Sequence, residues 1–121
     1  MDKQSLGQFG EEQAARYLRR RFYTILERNF RCRFGEIDLI ARRAGVLVFV
    51  EVKLRRDDQH GEAREFVTAR KQQRVMAAAQ FWLSQHETEL QPRFDVIEVY
   101  APEGTKTLLP EIHHIENAFS L

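Results

Sequence analysis

The sequence predicts a three-layer α/β domain, in which helices cover both faces of a mixed β-sheet. Its segments follow the order helix, three strands, helix, and one or two further strands. A strand, a crossover helix and a returning strand are typical of neighbouring parallel strands in one sheet. Residues 46–54 are almost wholly apolar, which is typical of a central strand covered on both faces.

Apolar residues at helical spacing predict the two helices. The first begins with Ser5 as its N-cap and extends to about Phe22. The second follows an N-cap at Thr68 and extends to about Gln85, with Trp82 on its apolar stripe. Because each helix has one apolar face, we expect both helices to pack on the sheet.

Runs of β-branched and aromatic residues predict the strands. The turn signal Ala44-Gly45 predicts that the second and third strands form a hairpin. Pro110 precedes the last run, which we expect to form an edge strand. The predicted strands cover residues 23–27, 36–43, 46–54, 94–100 and 112–115.

Length and composition favour one soluble domain over residues 1–121. Hydrophobic residues make up 43% of the chain, and the formal net charge is +1. Cys32 is the only cysteine, which excludes an internal disulfide and every zinc site that needs two thiolates. The sequence shows neither an apolar signal core nor a membrane-length apolar run. We therefore expect a cytoplasmic protein with no membrane partner.

The charges are segregated along the chain despite the small net charge. Residues 16–43 hold nine arginines against three acids, and residues 53–74 hold seven bases against four acids. Residues 87–121 reverse the balance, with seven acids against two bases. Two basic blocks predict one face with affinity for phosphate, and a solvated mixed surface is the alternative. The candidate phosphate contacts are Lys71, Arg42, Arg43 and Arg55.

Three charged residues interrupt the apolar pattern of the central hairpin. Alternation along a strand places Glu51 and Lys53 on one face, and Asp38 lies in the strand across the hairpin. Two converging carboxylates are a natural site for Mg²⁺ or Mn²⁺, and the lysine would orient a water or neutralise phosphate charge. The alternative is an ordinary ion-pair cluster at the edge of the sheet.

The runs at 35–40 (Gly-Glu-Ile-Asp-Leu-Ile) and 48–53 (Val-Phe-Val-Glu-Val-Lys) resemble the signature of the YraN family of uncharacterised bacterial proteins. Further motifs occur in the same order and extend the resemblance over essentially the whole chain. They are Gly7, Gly10-Glu11, Arg28-Asn29, Val67-Thr68, Lys71-Gln72, the run Arg93-Phe94-Asp95-Val96 and the closing Asn117-Ala118-Phe119.

The family is similar to the restriction-endonuclease-like superfamily, named PD-(D/E)xK for its motif, whose compact members include archaeal Holliday-junction resolvases. This resemblance implies an α/β/α fold with Asp38 and Glu51 as metal ligands and Lys53 as the catalytic lysine. It also implies a further catalytic acid from the first helix, Glu11, with Glu12 as the alternative if the helix is rotated. The sequence departs from the pattern at 37, where isoleucine replaces the common proline.

Three functions from different classes follow. The leading hypothesis is a metal-dependent endonuclease that hydrolyses phosphodiester bonds in DNA, including branched recombination or repair intermediates. The first alternative is a noncatalytic nucleic-acid-binding module of a repair or recombination assembly. The second is a protein-interaction partner without nucleic-acid activity. A homodimer is plausible for a small nuclease that cuts both strands of a branched substrate.

Overall fold

A computed structural model describes residues 3–56 and 68–120, which form two helices and five strands with short connections. Neither helix of these residues combines the length and the apolar character that crossing a lipid bilayer requires. A short 3₁₀ turn, Gly104–Lys106, precedes the last strand. The elements are α1 (Lys3–Arg20), β1 (Thr24–Cys32), β2 (Gly35–Arg43), β3 (Val46–Arg55), α2 (Ala69–Gln85), β4 (Gln91–Tyr100) and β5 (Glu111–Phe119).

The five strands form one mixed sheet in the order β1-β2-β3-β4-β5. Only β3 and β4 run parallel, and α2 lies between them in the chain; the other neighbouring strands are antiparallel. The predicted α/β architecture with a mixed sheet is therefore confirmed. The outer strands are longer than predicted, because β1 continues through polar residues to Cys32 and β5 continues to Phe119.

The side chains of β3 alternate between two cores. Val48 and Val50 pack with α1 on one face of the sheet, while Leu47 and Phe49 pack with α2 on the opposite face. Trp82 of α2 meets the Phe49 ring edge-on, with 5.9 Å between the ring centroids. One helix thus covers each face of the sheet, and β3 is buried between the two helices, as its apolar sequence predicts.

Both predicted ends of the first helix require correction. The helix begins at Lys3, so Ser5 lies inside its first turn instead of capping it. At the other end, the helix stops at Arg20 and Phe22 is 85% exposed with a φ of 71°. The amide of Tyr23 donates to the Leu18 carbonyl (3.0 Å), which closes a left-handed C-terminal motif. That closure turns Phe22 away from the apolar face.

A buried polar network holds the far edge of the sheet to α1. Asp95 of β4 is fully buried and accepts hydrogen bonds from Arg93 Nη2 (2.8 Å) and the Asn117 amide (3.0 Å). His114 Nε2 lies 2.7 Å from Asp95 Oδ2, and its Nδ1 lies 3.1 Å from the Tyr17 hydroxyl of α1. Because the carboxylate is fully partnered, this network stabilises the packing of β4, β5 and α1.

Gly35, at the start of β2, allows close contact with α2. A Cβ atom at this position would lie 2.6 Å from the backbone oxygen of Arg74. We expect Gly35→Ala to lower the free energy of unfolding by about 1–3 kcal/mol, because backbone has to move to admit the methyl group. Gly45→Ala is the matched control, since nothing lies within 4 Å of its Cβ position. Urea unfolding of both variants tests this, and equal stabilities would contradict it.

Candidate active site

The site forms where β2 and β3 separate. The two strands pair from Arg43 and Val46 as far as Leu39 and Val50. Beyond that pair, the Asp38 carboxylate accepts the Val52 amide at 2.7 Å through Oδ2. Meanwhile β3 stays paired with β4 along its whole length. An opening, which we call the notch, therefore lies between β2 and the second half of β3.

Glu51 is the first residue of β3 beyond its last pair with β2, and it points toward α2. It is 1% exposed, in a position where the alternation of the strand otherwise places Leu47 and Phe49. Lys71 Nζ of α2 lies 3.0 Å from Glu51 Oε2. Both Glu51 oxygens are buried, and Lys71 approaches Oε2 at hydrogen-bond distance but with poor hydrogen-bond geometry, so within the described part of the chain the two groups interact mainly by charge.

Two lysines with opposite pKa shifts lie on the α2 side of the notch. The Thr68 hydroxyl accepts the Lys71 amide (3.2 Å), so the predicted cap of α2 is confirmed and fixes the turn that carries Lys71. Burial opposes the charge of Lys71, but the Glu51 carboxylate raises its pKa. Burial, helped by the charge of Lys71, lowers the pKa of Lys53. Lys53 thereby becomes the more readily deprotonated of the two lysines.

Glu11 reaches the notch from the α1 side of the sheet. Its neighbour Gly10 packs on Leu54 of β3, where a Cβ would lie 3.4 Å from the leucine Cδ1. Glu11 Oε1 is buried and has no hydrogen-bond partner among the residues that the structure describes. Burial and the charge of Asp38 raise the pKa of Glu11, and the Asn29 side chain partly offsets that rise.

Glu12, the alternative acid of α1, faces arginines at the surface instead of the notch. It forms ion pairs with Arg28 (2.8 Å) and Arg16 (3.3 Å) at the surface. The Arg28 hydrogen bond holds the pKa of Glu12 below its usual range. The rotation of α1 therefore turns Glu11, and not Glu12, toward Asp38.

The carboxylates of the notch bind protons more tightly than ordinary carboxylates. Burial, followed by repulsion from Asp38, raises the pKa of Glu51 to about 7. Burial also raises the pKa of Asp38, although the Val52 amide favours its charged form. The fold thus holds two acids close together at a free-energy cost, which a cation would relieve.

The donor atoms of the notch suit a hard divalent cation. Carboxylate oxygens are the ligands that Mg²⁺ and Mn²⁺ prefer, and in residues 3–56 and 68–120 buried oxygens of Glu51 and Glu11 make no well-formed hydrogen bond. Within residues 3–56 and 68–120, however, no three Asp, Glu, His or Cys side chains converge closely enough to form a complete ligand set. Asp38 and Glu51 are the residues that would hold the cation, with Lys71 as the competing positive charge.

The four basic residues predicted to contact phosphate lie in different places. Lys71 lies at the notch, while Arg42 is exposed near the other end of β2. Arg43 donates to the Arg21 carbonyl (3.0 Å) and covers the Tyr23 ring. The Arg55 side chain is only 12% exposed and donates a hydrogen bond to Glu98 at 2.6 Å. Its positive charge is therefore paired within the fold.

A cleft of about 530 Å³ adjoins the notch, and we call it the basic cleft. Arg74 is the site residue that the sequence did not single out, although its spacing from Arg70 and Lys71 would place all three on one side of a helix. Asn29, which contacts Glu11, was likewise missed as a site residue, because β1 was predicted to end at 27. The cleft is lined by Glu36, Thr68, Arg70, Lys71, Arg74 and Val75.

Fold and site together define a small α/β protein with one buried glutamate, and half-buried carboxylates and lysines around it, beside a basic cleft. The model of the family described as uncharacterised protein family UPF0102 matches residues 10–99, so the chain belongs to that family, the YraN family. A UPF0102 protein of Caldanaerobacter subterraneus subsp. tengcongensis is 46% identical over 121 residues, covering 98% of each chain. A relative from Geobacter metallireducens is 45% identical over 122 residues, covering 100% of this chain and 97% of its own.

The raised pKa of Glu51 predicts that stability falls as pH rises. Between pH 4.5 and about 7 the folded protein retains a proton at Glu51 that the unfolded chain releases. We expect Glu51→Gln, which stays neutral, to gain up to ~3 kcal/mol of unfolding free energy relative to wild type between pH 4.5 and 8. Urea unfolding at both pH values measures this gain.

The control for that comparison is Glu87→Gln, the same chemical change at an exposed position. It reports the effect of neutralising a surface carboxylate. If the stability difference between Glu51→Gln and wild type does not change with pH, Glu51 is not an acid with a raised pKa.

Proposed function

We propose that the protein is a metal-dependent deoxyribonuclease that hydrolyses internal phosphodiester bonds, with branched DNA of recombination or repair as its substrate class. The observation that carries this proposal is that the buried Glu51 and the half-buried Asp38 lie close enough for their charges to repel, with Lys53 and Lys71 next to Glu51. A structural ion-pair cluster would not need two acids whose charges repel each other in a buried site. The sequence motif of Asp38 followed by Glu51-Val52-Lys53 also resembles the motif of restriction-endonuclease-like enzymes.

Each charged side chain of the notch has a role in this proposal. Asp38 and Glu51 would hold Mg²⁺ or Mn²⁺, and the ion would supply polarisation of a phosphoryl oxygen and a lower pKa for an attacking water. Lys53, with its lowered pKa, orients that water or neutralises charge that develops on phosphate. Glu11, whose pKa is raised, adds a carboxyl group on the α1 side of the notch that is able to bind a water proton.

The basic cleft supports the choice of a phosphodiester substrate. Among the described residues that line the cleft, the cations Arg70, Lys71 and Arg74 outnumber the carboxylate of Glu36. Lys71 belongs to both the cleft and the notch, because its Nζ pairs with Glu51. A DNA strand whose phosphates contact these cations would therefore pass beside the paired carboxylates. Lys71 is thus placed to exchange its contact with Glu51 for a contact with a substrate phosphate.

A second candidate function is a nucleic-acid-binding module without cleavage. The specific observation in its favour is that Lys71 already supplies a positive charge to Glu51 at 3.0 Å. In the described residues the carboxylates also fall short of a complete ligand set. Such a module would use the basic cleft alone, and its binding would weaken with salt and ignore Mg²⁺.

Cleavage of labelled DNA separates the two candidates. We expect wild type to cut single-stranded, duplex or four-way-junction DNA with Mg²⁺ or Mn²⁺, and to lose this activity in EDTA. Glu51→Gln and Lys53→Ala should each lower the rate by ~100-fold or more, because each removes charge stabilisation at the reacting phosphate. Arg42→Ala, which removes an exposed cation near the other end of β2, should cut as wild type does.

Two outcomes would contradict the nuclease. Binding of wild type and both site variants to DNA with equal affinity, without cleavage by any of them, would favour the noncatalytic module. Cleavage that survives in Glu51→Gln and Lys53→Ala alike would show that the activity does not come from the notch.

Salt dependence tests the basic cleft separately from the chemistry. In EDTA, we expect Arg74→Ala to reduce the slope of log affinity against log salt by about one unit, because one phosphate contact is lost. Arg42→Ala is the matched control and should leave the slope unchanged. An unchanged slope for Arg74→Ala, or an equal loss in both variants, would place the phosphate contacts elsewhere.

A further inference from the structure

The turn between β1 and β2 carries an aromatic side chain that the turn itself does not require. Arg33 and Phe34 connect Cys32 to Gly35, and the Phe34 ring is 40% exposed. Tight hairpin turns favour Gly, Asn or Asp, which tolerate the backbone of the turn. A phenylalanine at the tip of this turn exposes part of its ring to water. The conformation of the turn does not explain why a phenylalanine occurs there.

The Phe34 ring is held in place from two sides. Phe81 of α2 contacts it with 5.7 Å between the ring centroids, and Phe81 in turn stacks on Phe30 of β1 at 6.4 Å. The Arg33 guanidinium lies over the Phe34 ring, with its Cζ 4.8 Å from the ring centroid. A ring that is already ordered loses little side-chain entropy when a ligand stacks on it.

The turn that carries the ring leads directly into the basic cleft. Gly35 follows Phe34 and packs against the backbone of α2 at Arg74, and the next residue, Glu36, lines the cleft. Asp38 of the notch lies four residues after Phe34, and this separation corresponds to about 13 Å along an extended strand. Ring, cleft cations and paired carboxylates therefore lie at one end of the sheet.

We propose that Phe34 stacks on an unpaired base of the DNA strand whose phosphates contact the basic cleft. The preferred substrate then exposes single-stranded nucleotides beside the bond to be cut. A ring next to phosphate-binding cations is the combination that binds single strands, because every base has a flat face, whereas bases inside a duplex already stack on each other. In this complex, the exposed Arg33 guanidinium exchanges its contact with the Phe34 ring for a contact with the phosphate of the stacked nucleotide. The inference rests on the proposed function for its choice of DNA.

The test measures binding in EDTA, so that it does not depend on cleavage. Fluorescence anisotropy would compare a labelled single strand, its blunt duplex, and single strands with one abasic nucleotide at successive positions. We expect Phe34→Leu, which keeps an apolar side chain for Phe81, to bind the single strand about five- to one-hundred-fold more weakly and the duplex as before. Phe34→Trp should restore single-strand binding.

The abasic strands identify the partner of the ring. At one position, the missing base should weaken wild type by about the same factor as Phe34→Leu, and the two changes together should weaken binding no further. Phe22→Leu is the matched control, because Phe22 is 85% exposed and lies near the opposite end of β1. It should leave every affinity unchanged.

Several results would overturn the inference. Unchanged single-strand affinity in Phe34→Leu, or an equal loss for duplex, would show that the ring stacks on no base, while the basic cleft and the nuclease would still stand. Strictly additive effects of the abasic nucleotide and Phe34→Leu would also exclude stacking. If wild type binds neither single strand nor duplex, the proposed function fails, and this inference fails with it.

Discussion

Burial of the Glu51 carboxylate at the point where β2 and β3 separate is the constraint on which the site depends. A carboxylate with no directed hydrogen bond in an apolar layer costs several kcal/mol. Part of that cost is offset by Lys71, which the Thr68 cap and the first turn of α2 hold at 3.0 Å. Asp38 adds a second charge to the same place, and its repulsion raises the cost. An apolar residue at 51 would be less costly, which points to a chemical role for the acid.

The helices bring the remaining groups to this point by close backbone contacts. Gly10 lets α1 approach Leu54, which turns Glu11 toward Asp38 and leaves Glu12 among surface arginines. Gly35 lets β2 approach α2 at the Arg74 carbonyl, beside the cleft that Glu36 and Arg74 line. These contacts couple packing to function, because loss of either close approach would shift an acid or a cation relative to Glu51.

The sequence predicted most of the fold, because local patterns encode it. Alternation along β3 placed Glu51 and Lys53 on one face, and the Ala44-Gly45 turn placed Asp38 across from them. Contacts between segments that are distant along the chain could not be predicted from these local patterns. The pairing of Lys71 with Glu51 depends on where α2 docks, and the choice between Glu11 and Glu12 depends on the rotation of α1 as it packs on β3.

The central claim is that Glu51 is an acid with a raised pKa in a site that binds a divalent cation. A carbon-detected NMR titration of its carboxyl group, assigned by comparison with Glu51→Gln, tests this claim most directly. The structure predicts a midpoint of about 7 without metal. Saturating Mg²⁺ should lower that midpoint, because the cation and the proton compete for the same oxygens. A midpoint near the ordinary glutamate value, unchanged by Mg²⁺, would contradict the account.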